Sequence, residues 1–184
     1  VWCRAAARPL GHAMTAAPII DTARTRLRPH VLSDMEAFWD FFQSPRAEYV
    51  DGPSTRTHLW YGFASETGSW ALCGHGGWAI ETRDGALAGQ VCISQPPHFP
   101  ELELGWILFD GFEGRGLAFE AAGAARDYAF AALGVPTLVS YIDRRNTRSC
   151  HLAERLGAVV DPEAKSYDDT DVVYRHRPAA EGVA

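Results

Sequence analysis

Residues 113–118 read Glu-Gly-Arg-Gly-Leu-Ala, with a further glycine at 111 and an alanine-rich run behind them. The stretch in front, 101–108 (ELELGWIL), alternates as a strand does, and residues 117–133 follow helical spacing. Strand, glycine turn and helix in that order leave unpaired backbone N–H groups at the helix start. The positive end of the helix dipole lies there too, so the turn is an anion site suited to phosphate. Glycine at 114 and 116 allows close backbone approach or a positive φ, which a Cβ would block. Just upstream, Glu101 and Glu103 fall on one strand face by its two-residue period, and a carboxylate there is a candidate proton acceptor. Downstream, Asn146 and Ser149 stand three apart at the start of another amphipathic run. His75 and His98 lie in loops near strand ends, where either exposure or a substrate contact is open.

The elements that must position these groups are legible in order. Residues 23–31 read as a first strand. Ser33 and Glu36 have capping-box spacing ahead of a helix to about residue 42, with Met35, Phe38 and Phe42 on one face. Ser44-Pro45 ends that helix or opens a short turn, and 46–56 is expected as a loop. Ser54 is placed to cap a second helix over about 55–66, with Leu59, Trp60 and Phe63 as its apolar set. Strands follow at 77–81 and 87–94 around an Arg83-Asp84-Gly85 hairpin turn. After a proline-rich loop come the strand at 101–108, the glycine turn and the helix at 117–133. Ala118, Ala122, Ala125, Ala129 and Ala132 form a small-residue stripe on that helix, and Gly134 and Pro136 end it. A buried strand at 137–142, a helix at 147–156 and closing strands at 158–160 and 171–175 complete the chain. The fold class is α+β: a mixed sheet, antiparallel in its first half, with a helix crossover into the strand at 137 and about four helices. Such a sheet must splay where pairing changes sense, at the end of the strand over 101–108.

Length points to one domain in 184 residues, with 1–21 as a disordered extension, 22–177 as the folded unit and 178–184 as a tail. The net charge of −6 argues against a nucleic-acid partner and suits a cationic or amine substrate. Cys3, Cys73, Cys92 and Cys150 are scattered, with neither zinc-ligand spacing nor a nucleophile context. They read as buried small hydrophobes in a reducing, cytoplasmic compartment, and no metal is expected. No apolar run approaches the roughly 20 residues of a membrane span, so no membrane partner is expected. A monomer or homodimer is expected.

The loop residues Glu113, Gly114, Arg115, Gly116, Leu117 and Ala118 resemble the acyl-CoA pyrophosphate loop of the GCN5-related N-acetyltransferases. The longer segment ELGWILFDGFEGRGLAFEAA is similar to that of the branch acetylating ribosomal-protein alanine termini. So are Asn146 with Ser149, the run Glu154-Arg155-Leu156-Gly157-Ala158, and the opening TRLRPHVLSDMEAF. Together these cover about residues 22–177. The resemblance implies an acetyl-CoA-dependent N-acetyltransferase acting on a primary amine, either a protein N-terminus or a small molecule. Direct transfer in a ternary complex is implied, with acetyl-CoA as co-substrate. The amides of Gly114, Arg115, Gly116, Leu117 and Ala118 would take the diphosphate. Backbone groups of Ile107 and Leu108 would receive the pantetheine arm, which Asn146 either hydrogen bonds or leaves in order to cap its helix. Glu103 would be the base. Ser149 would protonate the departing thiolate, since Ala153 occupies the place where many relatives carry tyrosine. Arg144, Arg145 and Arg148 either reach a 3′-phosphate or form a solvated turn. Where the family often has Gln or Arg, this chain has Glu113, expected to face away from the phosphates. A non-catalytic acyl-CoA-binding module on the same scaffold is the alternative. A dinucleotide-binding domain is disfavoured, because the glycine loop follows antiparallel strands.

Overall fold

The computed structural model describes residues 16–50 and 52–178. In chain order the elements are β1 (Ile20–Asp21), β2 (Thr25–Arg28), α1 (Met35–Gln43), α2 (Arg56–Cys73), β3 (Gly77–Thr82), β4 (Leu87–Ser94), β5 (Glu103–Leu108), α3 (Leu117–Tyr128), β6 (Leu138–Asp143), α4 (Thr147–Arg155), β7 (Val159–Val160) and β8 (Asp171–His176). One sheet takes these strands in the order β1-β2-β3-β4-β5-β6-β8-β7. Every neighbouring pair is antiparallel except β5 with β6, which is parallel. The α+β reading therefore holds, and so does the change of sense at the strand before the glycine loop.

β5 and β6 share one registered pair, Glu103 with Val139, and then part. Three hydrogen bonds close the apex. Val139 N–H donates to Leu102 O at 3.0 Å, Glu101 N–H to Tyr141 Oη at 3.0 Å, and the buried Ser140 Oγ to Leu104 O at 2.6 Å. Beyond the apex, residues 105–108 pair with β4 alone. Gly89 opposite Leu108 is needed for that course, because a Cβ there would lie 2.2 Å from Ile107 O.

The two sheet faces bury different sets. α3 lies on one, where Ala121, Ala122, Ala125 and Ala129 sit in a core with Leu27, Trp78, Val91, Ile93 and Leu104. α1 and α2 cover the other through Phe38, Phe41, Leu59, Phe63 and Phe109, with Ile107 packed against them. The expected alanine stripe is shifted: Ala132 is exposed. The helix widens into a π-turn at Ala129–Leu133, which rotates its last residues off the helical period before Gly134 ends it at φ +66°.

Other boundaries moved for identifiable reasons. A 3-10 turn at Leu32–Asp34 precedes α1, and Asp34, not Glu36, reaches back to the chain, accepting from Val31 N–H at 3.0 Å. Asp34 also takes the guanidinium of Arg28, the last residue of β2, so an ion pair to the preceding strand decides the cap. Within the expected loop after α1, Pro45–Tyr49 form a 3-10 turn capped by Ser44. Thr55 caps α2 in place of Ser54, and α2 continues past Glu66 to Cys73. The polar residues 66–69 hide that last stretch from periodicity. Trp70 anchors it by packing on Trp78, centroids 4.4 Å apart, and by donating to Gly77 O at 2.9 Å. Residues 16–21, expected outside the folded unit, belong to it: Ala17 is buried, Pro18 O accepts from Trp78 Nε1, and β1 pairs with β2. The rest of the expected extension and most of the expected tail lie outside the described residues.

Candidate active site

Two cavities open where β5 and β6 part, of about 600 Å³ and 280 Å³. Tyr49, Val50, Trp106, Ile107, Asn146 and Ser149 line both, so the two meet at the splay.

The larger cavity lies against the glycine loop and the start of α3 and is lined by Gly114, Gly116, Leu117 and Ala118. Gly116 is the N-cap at φ +74°, and no side chain caps the helix. Its first amides are thereby left for an anion. Gly114 stands at φ +69°, and a Cβ there would meet nothing within 4 Å, so backbone conformation is what calls for glycine. Arg115 is exposed, its guanidinium 5.7 Å from the Phe112 ring. Its carbonyl, with that of Gly116, is gripped by Arg24 at 2.6 and 3.3 Å. Arg24 Nε in turn donates to Glu120 at 2.7 Å.

The loop is thus tied to β2 by a clamp that local sequence does not reveal. Burial opposes ionisation of Glu120, but hydrogen bonds from Thr22 and from the Arg24 amide and guanidinium outweigh it and bring the carboxyl down from 4.5 to about 2. A depressed carboxyl stabilises the fold above its unfolded value and loses that contribution as pH falls through its folded one. Melting temperature is therefore expected to fall between about pH 4.5 and 2, with a shallower fall in Glu120→Gln over that window. Parallel slopes in the two proteins would contradict the clamp.

Ile107 and Leu108 line the same cavity. Leu108 O already accepts from Arg46 Nη2 at 2.9 Å, leaving one lone pair for a ligand. Glu113, expected to face away, turns onto this wall and pairs with Arg46. The arginine offsets its charge, so the acidic residue adds little net negative charge to this wall. Arg148 and Arg155 also line the cavity. Arg144 instead donates to Thr170 O and Asp169 O, and Arg145 pairs with Asp143 at 2.6 Å. Asn146 Oδ1 accepts from Ser149 N–H at 3.2 Å and so caps α4, while the residue still borders both cavities.

The smaller cavity lies beneath α1 and α2. Glu103 lines it, as do Gln90, Cys92, Gly105 and Glu66. Glu101, the other strand carboxylate, is bound at both oxygens by Arg175, each at 2.7 Å. The structure thereby separates two residues that the two-residue period left equivalent. Burial lifts the Glu66 carboxyl from 4.5 to about 7. Burial also pushes the Cys92 thiol up, and the nearby Glu66 and Glu103 add to that, so a thiolate nucleophile is disfavoured here. His75 is buried with Nδ1 2.9 Å from Ile93 O, and His98 packs edge-on to Phe99 and Tyr167. Among the described residues no group of three or more His, Cys, Asp or Glu is arranged to hold a metal, and no helix is long and apolar enough to cross a membrane.

Sequence reasoning missed Arg24, Arg46, Tyr49 and Glu66. The first two act through contacts 91 and 62 residues away in the chain. Tyr49 lay in a loop for which a wall of the site and a plain connector were both open, with no residue of it singled out, and Glu66 was assigned to a helix end.

Comparison with known proteins agrees with this geometry. The family profile described as "Acetyltransferase (GNAT) domain" matches residues 24–159. The chain is similar to an acetyltransferase crystal structure from Agrobacterium tumefaciens, with 43% identity, a TM-score of 0.86, and 89% of this chain and 96% of that one covered. A spermidine N-acetyltransferase from Vibrio cholerae, solved in complex with CoA and spermine, shares the fold at 17% identity and a TM-score of 0.66, covering 84% of this chain and 94% of that one. Spermidine N(1)-acetyltransferase of Escherichia coli is 33% identical over 81 residues, which span 44% of this chain and 44% of that protein.

Proposed function

The chain belongs to the acetyltransferase (GNAT) family, and from that premise we propose that it moves an acetyl group from acetyl-CoA to a primary amine by direct transfer. The observation that carries this reading is the meeting of two cavities at Trp106, Ile107, Asn146 and Ser149. One is shaped for a diphosphate-bearing co-substrate and the other is lined by a carboxylate. Gly114, Gly116 and the first amides of α3 receive the diphosphate, with Arg148 and Arg155 supplying positive charge around it, Arg46 being paired with Glu113. The backbone of residues 105–108, unpaired by β6, holds the pantetheine arm as an added strand. Acetyl-CoA supplies an activated thioester carbonyl. Glu103 takes the proton that the attacking amine must lose, directly or through water. Ser149, in the first turn of α4, gives a proton to the departing sulfur. The resemblance of the loop and the Asn146–Ser149 turn to the ribosomal-protein alanine acetyltransferase branch supports an amine acceptor and leaves its class open.

The test is calorimetric titration with acetyl-CoA beside a panel of amines and peptides, with released CoA thiol measured. Heat on binding with thiol release is expected. Heat without release for any acceptor would favour a non-catalytic acyl-CoA-binding module, and absence of heat would remove both readings. Tyr49 borders both cavities as Ser149 does, so its hydroxyl is the rival proton donor. Ser149→Ala is expected to lower kcat about 10-fold or more with little change in KM. A greater loss in Tyr49→Phe than in Ser149→Ala would reassign the acid.

A further inference from the structure

The smaller cavity is bordered by a buried carboxylate, Glu66, that the transfer step does not use. Gly77, Cys92 and Gly105 stand in register across β3, β4 and β5, and the last two line the cavity. Gly105 and Glu103 share the face of Ile107, which α1 and α2 cover. A Cβ on Gly77 would lie 3.2 Å from both Glu66 Oε2 and Gln90 Oε1. One on Gly105 would lie 3.1 Å from Cys92 Sγ and 3.4 Å from Glu103 Oε2. The glycines therefore leave room for these side chains to lie close over the sheet at the cavity's edge.

Glu66 Oε2 and Gln90 Oε1 are closed off from solvent and have no hydrogen-bond partner among the described residues. Turning the Gln90 amide over would offer Glu66 an N–H but no counter-charge. Among the described residues the cavity lining contains Glu66, Glu103 and Asp143, and no Lys, Arg or His. Arg145 neutralises Asp143. Nothing among the described ion pairs neutralises Glu66. A buried carboxylate without a counter-ion is costly, and a cation that enters the cavity removes that cost. The walls are Phe38, Phe42, Trp106, Tyr141 and Tyr167, faces that suit methylene chains and cationic nitrogens alike.

We propose that Glu66, with Gln90 beside it, is a second-cation subsite that selects small diamines or longer polyamines over monoamines and protein N-termini. This rests on the acetyltransferase reading, in which Glu103 serves the nitrogen that must become neutral and react. Glu66 is left for a nitrogen that stays charged. It positions the acceptor and takes no part in the chemistry.

The test compares 1,4-diaminobutane with n-butylamine, equal in carbon number, on the wild type and Glu66→Gln. Thiol release reads transfer, and calorimetry with CoA present reads binding. The wild type is expected to favour the diamine in kcat/KM by roughly 10- to 100-fold, the range of one hydrogen-bonded charge pair. In Glu66→Gln that ratio is expected to fall toward one, mainly through KM. The variant keeps side-chain shape and loses a buried charge, so its melting temperature is expected not to drop. A wild-type ratio near one, or an unchanged ratio in the variant, would overturn the subsite. Diamine binding that Glu66→Gln abolishes, without acetylation of either amine, would keep the subsite and overturn the transfer reading. Failure of the diamine to bind at all would overturn the subsite whatever the fate of other acceptors.

Discussion

Glu103→Gln is expected to lower kcat/KM for amine acetylation by about 10²- to 10⁴-fold, the range that loss of a positioned general base removes, while leaving acetyl-CoA affinity intact. The substitution keeps side-chain shape and removes the proton acceptor. Glu103 opens β5 opposite Ser94 and Val139, at the apex of the splay, and lines the acceptor-side cavity without lining the cavity assigned to the co-substrate. Its neighbour Glu101 cannot substitute, because Arg175 binds both its oxygens. Two measurements check the expectation: steady-state rates with a saturating amine, and the acetyl-CoA Kd by calorimetry. A variant that turns over at the wild-type rate would move the base elsewhere in the cavity, with Glu66 the carboxylate to consider, since Asp143 is paired with Arg145. A parallel loss of acetyl-CoA affinity would mean that the substitution disturbs the junction and not the proton transfer alone.

The second large effect is expected at the loop. Gly116→Val should raise the acetyl-CoA Kd by about 10- to 100-fold, the loss of one or more charge-assisted amide contacts. Gly116 is left-handed at φ +74°, a conformation that costs an L-residue about 1–2 kcal/mol and a β-branched one at least that. Its Cβ would also stand 3.1 Å from Arg24 Nη2. That contact matters because Arg24 fixes the carbonyls of Arg115 and Gly116 and thereby aims the amides on their far side. Gly114→Ala is the calibrating variant: it has the same sign of φ but open space around the added atom, so only the strain remains and a smaller loss is expected. Calorimetric titration of both variants distinguishes the two contributions. Equal losses would mean that backbone strain dominates and the Arg24 clamp adds nothing.

What was legible in the sequence is what short-range patterns encode. β4 matches its expected span at residues 87–94, the helix after the loop starts at Leu117 as its spacing predicts, and Gly134 ends the following turn in the left-handed conformation. Each depends on alternation, helical period or the freedom of one glycine, and all are settled within a few residues. The expectation of an anion site at the loop was equally local, because a strand, a glycine turn and a helix suffice to expose the amides. Glu103 is preferred to Glu101 from its place on the strand before the splay, but what ties Glu101 down is not local. It is Arg175, which is 74 residues from Glu101 in the chain and is brought to it only when β8 pairs with β6. Glu66 lay at an expected helix end, and only the packing of Trp70 on Trp78 carries α2 onward and seals that carboxyl over Gly77. The sequence by itself determined the class of fold, the strand-loop-helix unit and the residue types available for chemistry. The tertiary structure alone decided which charges meet a partner and which face an open cavity, because ionic pairing depends on separation in space, and residues scores of positions apart acquire that separation only when the sheet closes.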